Sequence, residues 1–272
     1  MTSGDEPDFL SGTSGLVLGA RYTARAILLD GLCDVIAWTL LERPRLRSAA
    51  ARAPRRRVLA LAIEREGEPT LLPAARVELS RSRHEVVFER AAAGHRGKFE
   101  NLNELLQRHS PRRYDWLLVL DDDVALPRGF LDSFIFLAER FNLRLAQPAH
   151  RYRSHAGWKV TRRRPASLVR ETAFVEIGPV TALEATTFDT LLPFPPLTVG
   201  WGLDAHWSAL ARERDWKLGI VDATPVCHGL RTIASAYDRQ DAIDEGREFL
   251  AGRSYTPADL AGRTIATHRV LR

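Results

Sequence analysis

Three consecutive carboxylates, Asp121-Asp122-Asp123, have the residue types and spacing that most clearly suggest chemistry in this sequence. They follow the apolar run at residues 116–120, which is typical of a buried strand. In an extended chain residues 121 and 123 point to the same side, so both can reach one site. Carboxylate oxygens suit Mg²⁺ or Mn²⁺, and diphosphate oxygens can complete the shell. The alternative is a solvated acidic turn after the strand.

A second candidate is the segment Gly200-Trp201-Gly202-Leu203-Asp204. Glycines allow the backbone to approach a ligand closely, and the face of Trp201 can lie against a sugar ring. Asp204 is then placed to act as a general base toward an acceptor hydroxyl. Asp204 also precedes a helical pattern, so an N-cap role is the alternative, and the two roles are compatible.

His228 is a third candidate, because a neutral imidazole can complete a metal shell begun by carboxylates. A purely structural histidine is the alternative. Cys227 is adjacent and points the other way in an extended chain, so we do not expect both residues on one metal. The sequence has no CxxC, HExxH or GxSxG motif and no GxGxxG after the first strand, which argues against zinc ribbons, zincins, serine hydrolases and NAD-binding sites.

The elements that must position these residues alternate between strand and helix patterns. Such alternation predicts a mostly parallel sheet with helices on both faces, whose ligands bind beyond the carboxyl ends of the strands. Strands are predicted at residues 58–63, 85–88, 116–120, 174–177 and 218–221, and helices at 73–80, 98–108, 127–140, 204–214 and beyond 236. Residues 150–170 are predicted to be a loop.

The N-terminal part has a different pattern. Residues 1–15 are polar and predict a loose tail. Residues 21–41 predict an amphipathic helix whose Leu28, Leu32 and Val35 pack on the body of the protein, with docking to a partner or a membrane surface as the alternative. Residues 43–57, with two prolines and three consecutive arginines, are typical of a linker. We therefore divide the chain into an N-terminal extension, 1–56, and one α/β domain, 57–272.

Composition and charge exclude several classes of protein. The chain has 272 residues, 45% hydrophobic and 27% charged, as in ordinary globular proteins. Two cysteines exclude a disulfide scaffold and fit a reducing cytoplasm. The net charge is +5, but 36 of the 39 basic residues are arginines, which indicates GC-rich coding rather than a specific nucleic-acid partner. Neither a transmembrane run nor a signal peptide is apparent, so we expect a cytoplasmic protein that touches membranes peripherally at most.

The ordered segments LDDDV, FVEIGPV, GWGLD and GIVDATPVCH resemble the GT-A class of nucleotide-sugar glycosyltransferases. They are most similar to an uncharacterised family of predicted glycosyltransferases with DDD, WGLD and late VD…H segments. The similarity covers roughly residues 57–250. It implies a GT-A-like (Rossmann-like), mostly parallel central sheet flanked by helices, with residues 1–56 as an N-terminal helical extension.

The resemblance also implies roles for individual residues. Asp121 and Asp123 match the DxD motif, which holds a divalent metal, Mn²⁺ or Mg²⁺, and the sugar nucleotide. His228 would join the metal shell, and Asp204 falls where inverting enzymes keep their catalytic carboxylate. Asp204 stands alone where many relatives carry an acidic pair, so retention, with Glu176 as the key carboxylate, is the alternative. The residues implied to bind substrate are Asp121, Lys98, Glu176, Gly178, Trp201 and Gly202, with Asn101 beside Lys98.

The predicted reaction is transfer of a sugar from a nucleotide-diphosphate donor to an acceptor hydroxyl or amine. Two alternatives from other classes stay open. One is a non-catalytic module of the same fold that binds nucleic acid or carbohydrate through Arg55-Arg56-Arg57 and Arg162-Arg163-Arg164. The other is a metal-dependent phosphotransferase that uses the same carboxylates.

Overall fold

The computed structural model describes residues 7–11, 15–40, 42–232 and 237–271. Parts of the predicted tail, residues 1–6 and 12–14, and the predicted helix end at residue 41 lie outside this range. The helices are α1 (Ala20–Thr39), α2 (Glu42–Arg52), α3 (Leu72–Ser80), α4 (Lys98–Arg108), α5 (Phe130–Arg140), α6 (Phe188–Leu191), α7 (Leu203–Glu213), α8 (Arg239–Leu250) and α9 (Ala258–Ala261). The strands are β1 (Arg57–Glu64), β2 (Glu85–Ala92), β3 (Trp116–Asp121), β4 (Val124–Ala125), β5 (Leu143–His150), β6 (Val169–Thr172), β7 (Val180–Glu184), β8 (Lys217–His228) and β9 (Thr264–His268).

The main sheet has the strand order β2-β1-β3-β7-β5-β8-β6-β9, and the short β4 pairs with the end of β8. Strands β2, β1 and β3 are parallel to one another, as are β5 and β8. Strands β7 and β6 run against their neighbours, and β9 pairs antiparallel with β6. All strands in this order except β7 and β6 therefore share one direction. The predicted α/β fold, a mostly parallel central sheet flanked by helices, is confirmed.

Strand β1 shows why the apolar runs predicted this sheet well. Val58, Ala60 and Ala62 face a core formed with α3 and α5. Leu59 and Leu61 face a second core formed with α4 and α7. A strand covered on both faces reads as a continuous apolar run, because every residue is buried whichever way it points.

Five strands, β4, β5, β6, β7 and β9, were missed by the sequence patterns, β6 beginning within the predicted loop at residues 150–170, and one predicted strand is wrong. Residues 174–177 lie in the connection between β6 and β7 and form no strand. The missed strand β5 carries Gln147, Pro148 and His150, which interrupt its apolar pattern although Gln147 and His150 are buried. The missed strand β9 lies at the sheet edge and exposes Ile265. Polar residues inside a buried strand and apolar residues on an exposed one both reverse the usual pattern.

The predicted linker at residues 43–57 is also wrong, since most of it forms α2. Pro44 lies in the first turn, where its missing amide N–H leaves no helical hydrogen bond unmade. Leu46 and Ala50, one turn apart, are buried, and α2 packs against α5. Arg56 Nε then donates to Glu139 Oε1 of α5 at 2.6 Å. The extension is thus packed on the domain, and a boundary at residue 56 stays a prediction.

Helix α1 forms as predicted, but its orientation is opposite to the prediction. Leu28, Leu32 and Val35 are exposed, whereas Ala26, Asp30 and Cys33 are buried. The Asp30 carboxylate accepts the backbone N–H groups of residues 152 and 153 at 2.9 and 3.2 Å. The polar side of the helix therefore faces the protein. No helix within the described ranges is both long and hydrophobic enough to span a bilayer.

The described part of the predicted loose tail is ordered against the domain. Phe9 is buried and belongs to the core beneath α4 and α7. The Asp8 carbonyl accepts the backbone N–H of Ala258 at 2.6 Å. Burial of Phe9 and the hydrogen bonds of Asp8 to Ala258 and Tyr255 thus fix these residues near the C-terminal helices.

Candidate active site

One cleft of about 550 Å³ collects every residue that the sequence analysis placed in the site except Asn101. It is formed by the carboxyl end of β3, the first turns of α4 and α7, the connection before β7 and the end of β8, as expected for a site in an open α/β sheet. The predicted residues on its wall are Lys98, Asp121, Asp123, Glu176, Gly178, Trp201, Gly202, Asp204 and His228. Asn101 instead donates to the Ala93 carbonyl at 2.8 Å, which is a structural contact.

Asp121, the last residue of β3, is paired with a cation. Lys98 Nζ lies 2.6 Å from Asp121 Oδ1. The other carboxylate oxygen lies beside Gly178, where an added Cβ would be only 2.8 Å from Oδ2. Gly178 therefore provides room for the carboxylate, and Lys98 supplies a positive charge that an anionic ligand can share.

Asp122, the middle carboxylate, has a structural role. Its Oδ2 accepts the backbone N–H of Arg65 at 2.9 Å, and its carbonyl accepts the backbone N–H of Leu71 at 2.7 Å. Arg231 donates to Asp122 Oδ1 through its guanidinium. Asp122 thus holds the loop after β1 against the cleft. Arg231, which also lines the cleft, was missed because its sequence neighbourhood carries no recognisable motif.

Asp123 and His228 are brought together by the pairing of β4 with β8, in which Val124 is opposite His228. His228 Nε2 lies 2.9 Å from Asp123 Oδ1. Burial raises the pKa of Asp123, but the hydrogen bond from His228 and the charge of Arg231 outweigh it, so the net pKa is below the ordinary 3.8. Burial lowers the pKa of His228, but the hydrogen bond to Asp123 and the charges of Asp121 and Asp123 bring it above 6.5. The two groups therefore stabilise each other's charged forms.

A divalent metal fits this site only with help from a substrate. Among the residues that the structure describes, no three His, Cys, Asp or Glu side chains converge closely enough to hold a metal. Asp121 is paired with Lys98, whereas Asp123 and His228 offer one oxygen and one nitrogen side by side. Mg²⁺ is commonly bound by one or two side chains, with phosphate oxygens and water completing the shell. The donors suit a cation that arrives with a diphosphate, and a shell of Asp121, Asp123 and His228 stays a prediction.

Asp204 lies in the first turn of α7 and is buried. The alternative N-cap role is wrong, because Gly202 occupies the cap with φ 88° and Asp204 Oδ1 accepts the backbone N–H of Ala205 at 2.9 Å. Burial and the nearby charge of Glu176 raise the pKa of Asp204 from 3.8 to about 7. A carboxylate with this proton affinity is suited to accept a proton near neutral pH.

Glu176 is fixed by a buried hydrogen-bond chain that the sequence did not reveal. Its Oε2 lies 2.8 Å from His150 Nε2, and its Oε1 accepts the backbone N–H of Trp158 at 2.9 Å. His150 Nδ1 lies 3.0 Å from Ser154 Oγ, which accepts the backbone N–H of His228 at 2.8 Å. The chain links Glu176 to the candidate metal ligand His228. His150, at the end of the interrupted strand β5, was the one available signal in the sequence.

Trp201 forms part of the cleft wall together with two residues that the sequence analysis missed. The ring of Tyr237 meets it edge-on with centroids 5.9 Å apart. The guanidinium of Arg239 lies 5.4 Å from the Trp201 centroid. The arrangement places an aromatic face and a cation together, which suits a sugar and a phosphate carried by one ligand.

The segment before Trp201 is held by Glu245 of α8. The Glu245 carboxylate accepts the backbone N–H groups of Thr198, Val199 and Gly200 at 2.5, 3.0 and 3.0 Å. Burial raises the pKa of Glu245, but these three donors bring it below 4.5. Gly200 has φ +89°, and a Cβ there would lie 2.1 Å from the ring of Phe99, so only glycine fits. Glu245 thus positions the cleft wall from the outside.

The second arginine triplet is largely internal. Arg163 is buried and pairs with Asp34 at 3.0 Å. Arg162 Nη1 donates to the carbonyls of Arg151 and Tyr152 at 2.9 and 3.0 Å. Of the three, only Arg164 is exposed. Arg162 and Arg163 thus stabilise the fold, so this triplet offers only Arg164 as an exposed cation to the nucleic-acid alternative.

No protein-family model matches this chain, and no curated protein matches it. Among solved structures it is similar to GalNAc-T7 with UDP, GalNAc and Mn²⁺, with 11% identity, a TM-score of 0.49 and coverage of 92% of this chain and 60% of that one. It is also similar to the mannosyltransferase PcManGT from Pyrobaculum calidifontis in complex with GDP-Man and Mn²⁺, with 14% identity, a TM-score of 0.48 and coverage of 88% and 78%. At such low identity, function is inferred from this chain's own cleft.

Proposed function

We propose that the protein is a metal-dependent glycosyltransferase of the GT-A type. It moves a sugar from a nucleotide-diphosphate donor to an acceptor hydroxyl or amine, with inversion at the anomeric carbon. The observation that carries this proposal is the placement of Asp204, whose pKa is raised to about 7, in one cleft with the Asp123–His228 pair and Lys98. A base, a cation-binding pair and a fixed cation are the groups that glycosyl transfer from a diphosphate requires.

The donor occupies the side of the cleft that carries the cations. Lys98 and Arg231 bind phosphate oxygens, and Asp121 orients the donor. Asp123 and His228 would hold Mn²⁺ or Mg²⁺, and the bound cation would supply positive charge against the leaving diphosphate. These assignments follow the chemistry of the side chains and the resemblance of the DDD and VD…H segments to the GT-A class.

The acceptor side is organised by Asp204. Its carboxylate takes the proton of the acceptor group as that group attacks the anomeric carbon. Trp201 lies against the transferred sugar. Glu176, held in place by His150 and Trp158, keeps the pKa of Asp204 high through its charge.

The phosphotransferase alternative uses the same carboxylates, so products must separate it from glycosyl transfer. Glycosyl transfer releases an intact nucleoside diphosphate and forms a glycoside, whereas phosphotransfer leaves phosphate on the acceptor. The binding-module alternative gains no support, since two arginines of its second triplet are engaged inside the fold. A cytoplasmic location and the absence of a specific nucleic-acid partner stay predictions.

The test begins with a thermal-shift panel of nucleotide sugars, each with and without Mn²⁺. A donor that binds the native state raises the melting temperature, and the rise should require the metal. The donor so identified is then incubated with the protein and pooled candidate alcohols and amines, and nucleoside diphosphate and glycoside are measured. Stabilisation by no nucleotide sugar, or turnover that places phosphate on the acceptor, would overturn the proposal.

A further inference from the structure

Large hydrophobic side chains that are exposed to solvent are concentrated around one helix. In the described ranges, eight of the twelve lie on α1 or directly beside it, namely Leu18, Tyr22, Ile27, Leu28, Leu32, Val35, Trp38 and Leu40. Leu28 is 73% exposed and Trp38 is 69% exposed. Single exposed hydrophobics are ordinary, whereas a contiguous apolar patch marks a docking surface. We call these eight residues the α1 patch.

The polarity of α1 is the reverse of that of an ordinary surface helix. Arg25, Leu28, Leu32 and Val35 follow one another at spacings of three and four, which places them on one side of a helix, and all are exposed. The opposite side carries Asp30, which is buried against the backbone of residues 152 and 153. The helix is therefore fixed to the domain by hydrogen bonds and ion pairs, and its apolar side is left toward solvent.

The charges around the α1 patch identify its partner. Both acidic residues of α1 are engaged by the domain: Asp30 by backbone N–H groups and Asp34 by Arg43, Arg151 and Arg163. The exposed charged side chains of α1 are Arg21 and Arg25, and α2, which contacts α1, adds exposed Arg45, Arg47 and Arg52. The outward surface thus combines apolar and cationic side chains, which complements a layer of anionic headgroups over acyl chains.

We propose that α1 docks the protein on an anionic membrane surface, lying parallel to the bilayer with the α1 patch among the lipids and the arginines against lipid phosphates. Tyr22 and Trp38 lie near the two ends of the helix, and aromatic rings of this kind favour the headgroup region. A second copy of the chain is a poorer occupant, because pairing two such surfaces would oppose like charges. This docking is independent of the transfer reaction.

The test is co-sedimentation of the full chain with vesicles of phosphatidylcholine alone and with about 30% phosphatidylglycerol. We expect binding to the anionic vesicles about tenfold stronger than to the neutral ones, weakening as salt is added. Leu28→Glu combined with Val35→Glu should abolish binding. Ile265→Glu is the matched control, because Ile265 is 69% exposed on β9, away from the patch. Both variants should melt like the parent, since the replaced side chains lie in solvent.

Two further measurements distinguish a membrane surface from a second copy of the chain as the partner of the α1 patch. Trp38 fluorescence should shift to the blue with anionic vesicles, and Trp38→Phe should bind while losing the shift. Equal binding to neutral and anionic vesicles, equal loss in the Ile265→Glu control, or no vesicle binding would each overturn the proposal. A dimer in sedimentation equilibrium that Leu28→Glu dissociates, without vesicle binding, would instead assign the α1 patch to a second copy.

Discussion

Asp204 and Glu176 are two carboxylates with different surroundings in one cleft. Glu176 is hydrogen-bonded by the His150 side chain and by the backbone of Trp158, whereas Asp204 accepts backbone N–H groups, among them that of Ala205. Burial and the charge of Glu176 raise the pKa of Asp204 to about 7. Environments that separate paired carboxylates in this way assign their roles, and they favour Asp204 as the base.

Asp204→Asn tests that role. Asn keeps the shape and can still accept the Ala205 N–H but cannot take a proton, so the rate of transfer should fall about 10²–10⁴-fold while donor binding is retained. In the parent, kcat/KM should rise with pH through about 7 as Asp204 loses its proton. The matched control is Asp189→Asn, an exposed carboxylate paired with Arg112 outside the cleft. Transfer at the parent rate would exclude Asp204 as the base and would favour a retaining reaction in which Glu176 is the key carboxylate.

The same variant should alter the pH dependence of stability. A carboxyl whose folded pKa is raised above its unfolded value binds its proton more tightly in the folded state, so its contribution to stability is present at low pH. That contribution is lost as pH rises between 3.8 and about 7. In Asp204→Asn this pH-dependent loss of stability is absent. The variant should therefore be more stable than the parent at pH 8 by a few kcal/mol, because each pH unit of that window corresponds to about 1.4 kcal/mol. Urea titrations at pH 4 and pH 8 should show the difference growing with pH; a constant difference would contradict it.

Asp123→Asn tests the cation-binding pair. The substitution preserves size but removes the charge that a cation and His228 share. Calorimetry with a nucleoside diphosphate should show affinity at least about tenfold weaker in Mn²⁺, and little difference from the parent without metal. Asp189→Asn again serves as the control. Equal affinities of Asp123→Asn and the parent in Mn²⁺ would exclude Asp123 as a metal ligand.

Helix α2 shows how a sequence pattern can conceal a helix. Its arginines and Pro44 suggested a linker, but Leu46 and Ala50 supply a buried stripe one turn apart. Leu46→Ala should lower the free energy of unfolding by about 2–5 kcal/mol, as expected for a buried leucine. Arg45→Ala, exposed on the same helix, should change it by less than about 0.5 kcal/mol. Thermal and urea unfolding measure both, and a neutral Leu46→Ala would mean that α2 is detached in solution.

Sequence patterns predicted strands that contain continuous apolar runs, and they could not reveal contacts between residues remote in the chain. Strands β1 and β3 are apolar throughout, so their runs were decisive. The orientation of α1 depends on Asp34 meeting Arg151 and Arg163, and no local pattern records such a contact. The candidate site follows the same rule. The aspartates at 121–123 follow a recognisable apolar run in the sequence, whereas only tertiary packing brings His150 and Arg231 to the cleft.

Part of the protein's basic charge is engaged within the fold and is not available to nucleic acid. The net charge is +5, but Arg162 and Arg163 are engaged inside the fold and Arg56 is paired with Glu139. We expect only weak, sequence-independent binding to duplex DNA that is lost near physiological salt, because few phosphates are neutralised. Fluorescence anisotropy across a salt series measures this. Tight, sequence-selective binding at physiological salt would reverse the conclusion.

The hydrogen bond between Asp8 and Ala258 has a consequence for how the protein is made. It joins residues from opposite ends of the chain, and Phe9 beside it packs near Gly246 of α8 while also lining the cleft. During translation the first of these residues leaves the ribosome long before its partners exist. This wall of the cleft therefore closes only after residues 246–258 have been synthesised, so a nascent chain can form β1–β3 well before it completes the cleft.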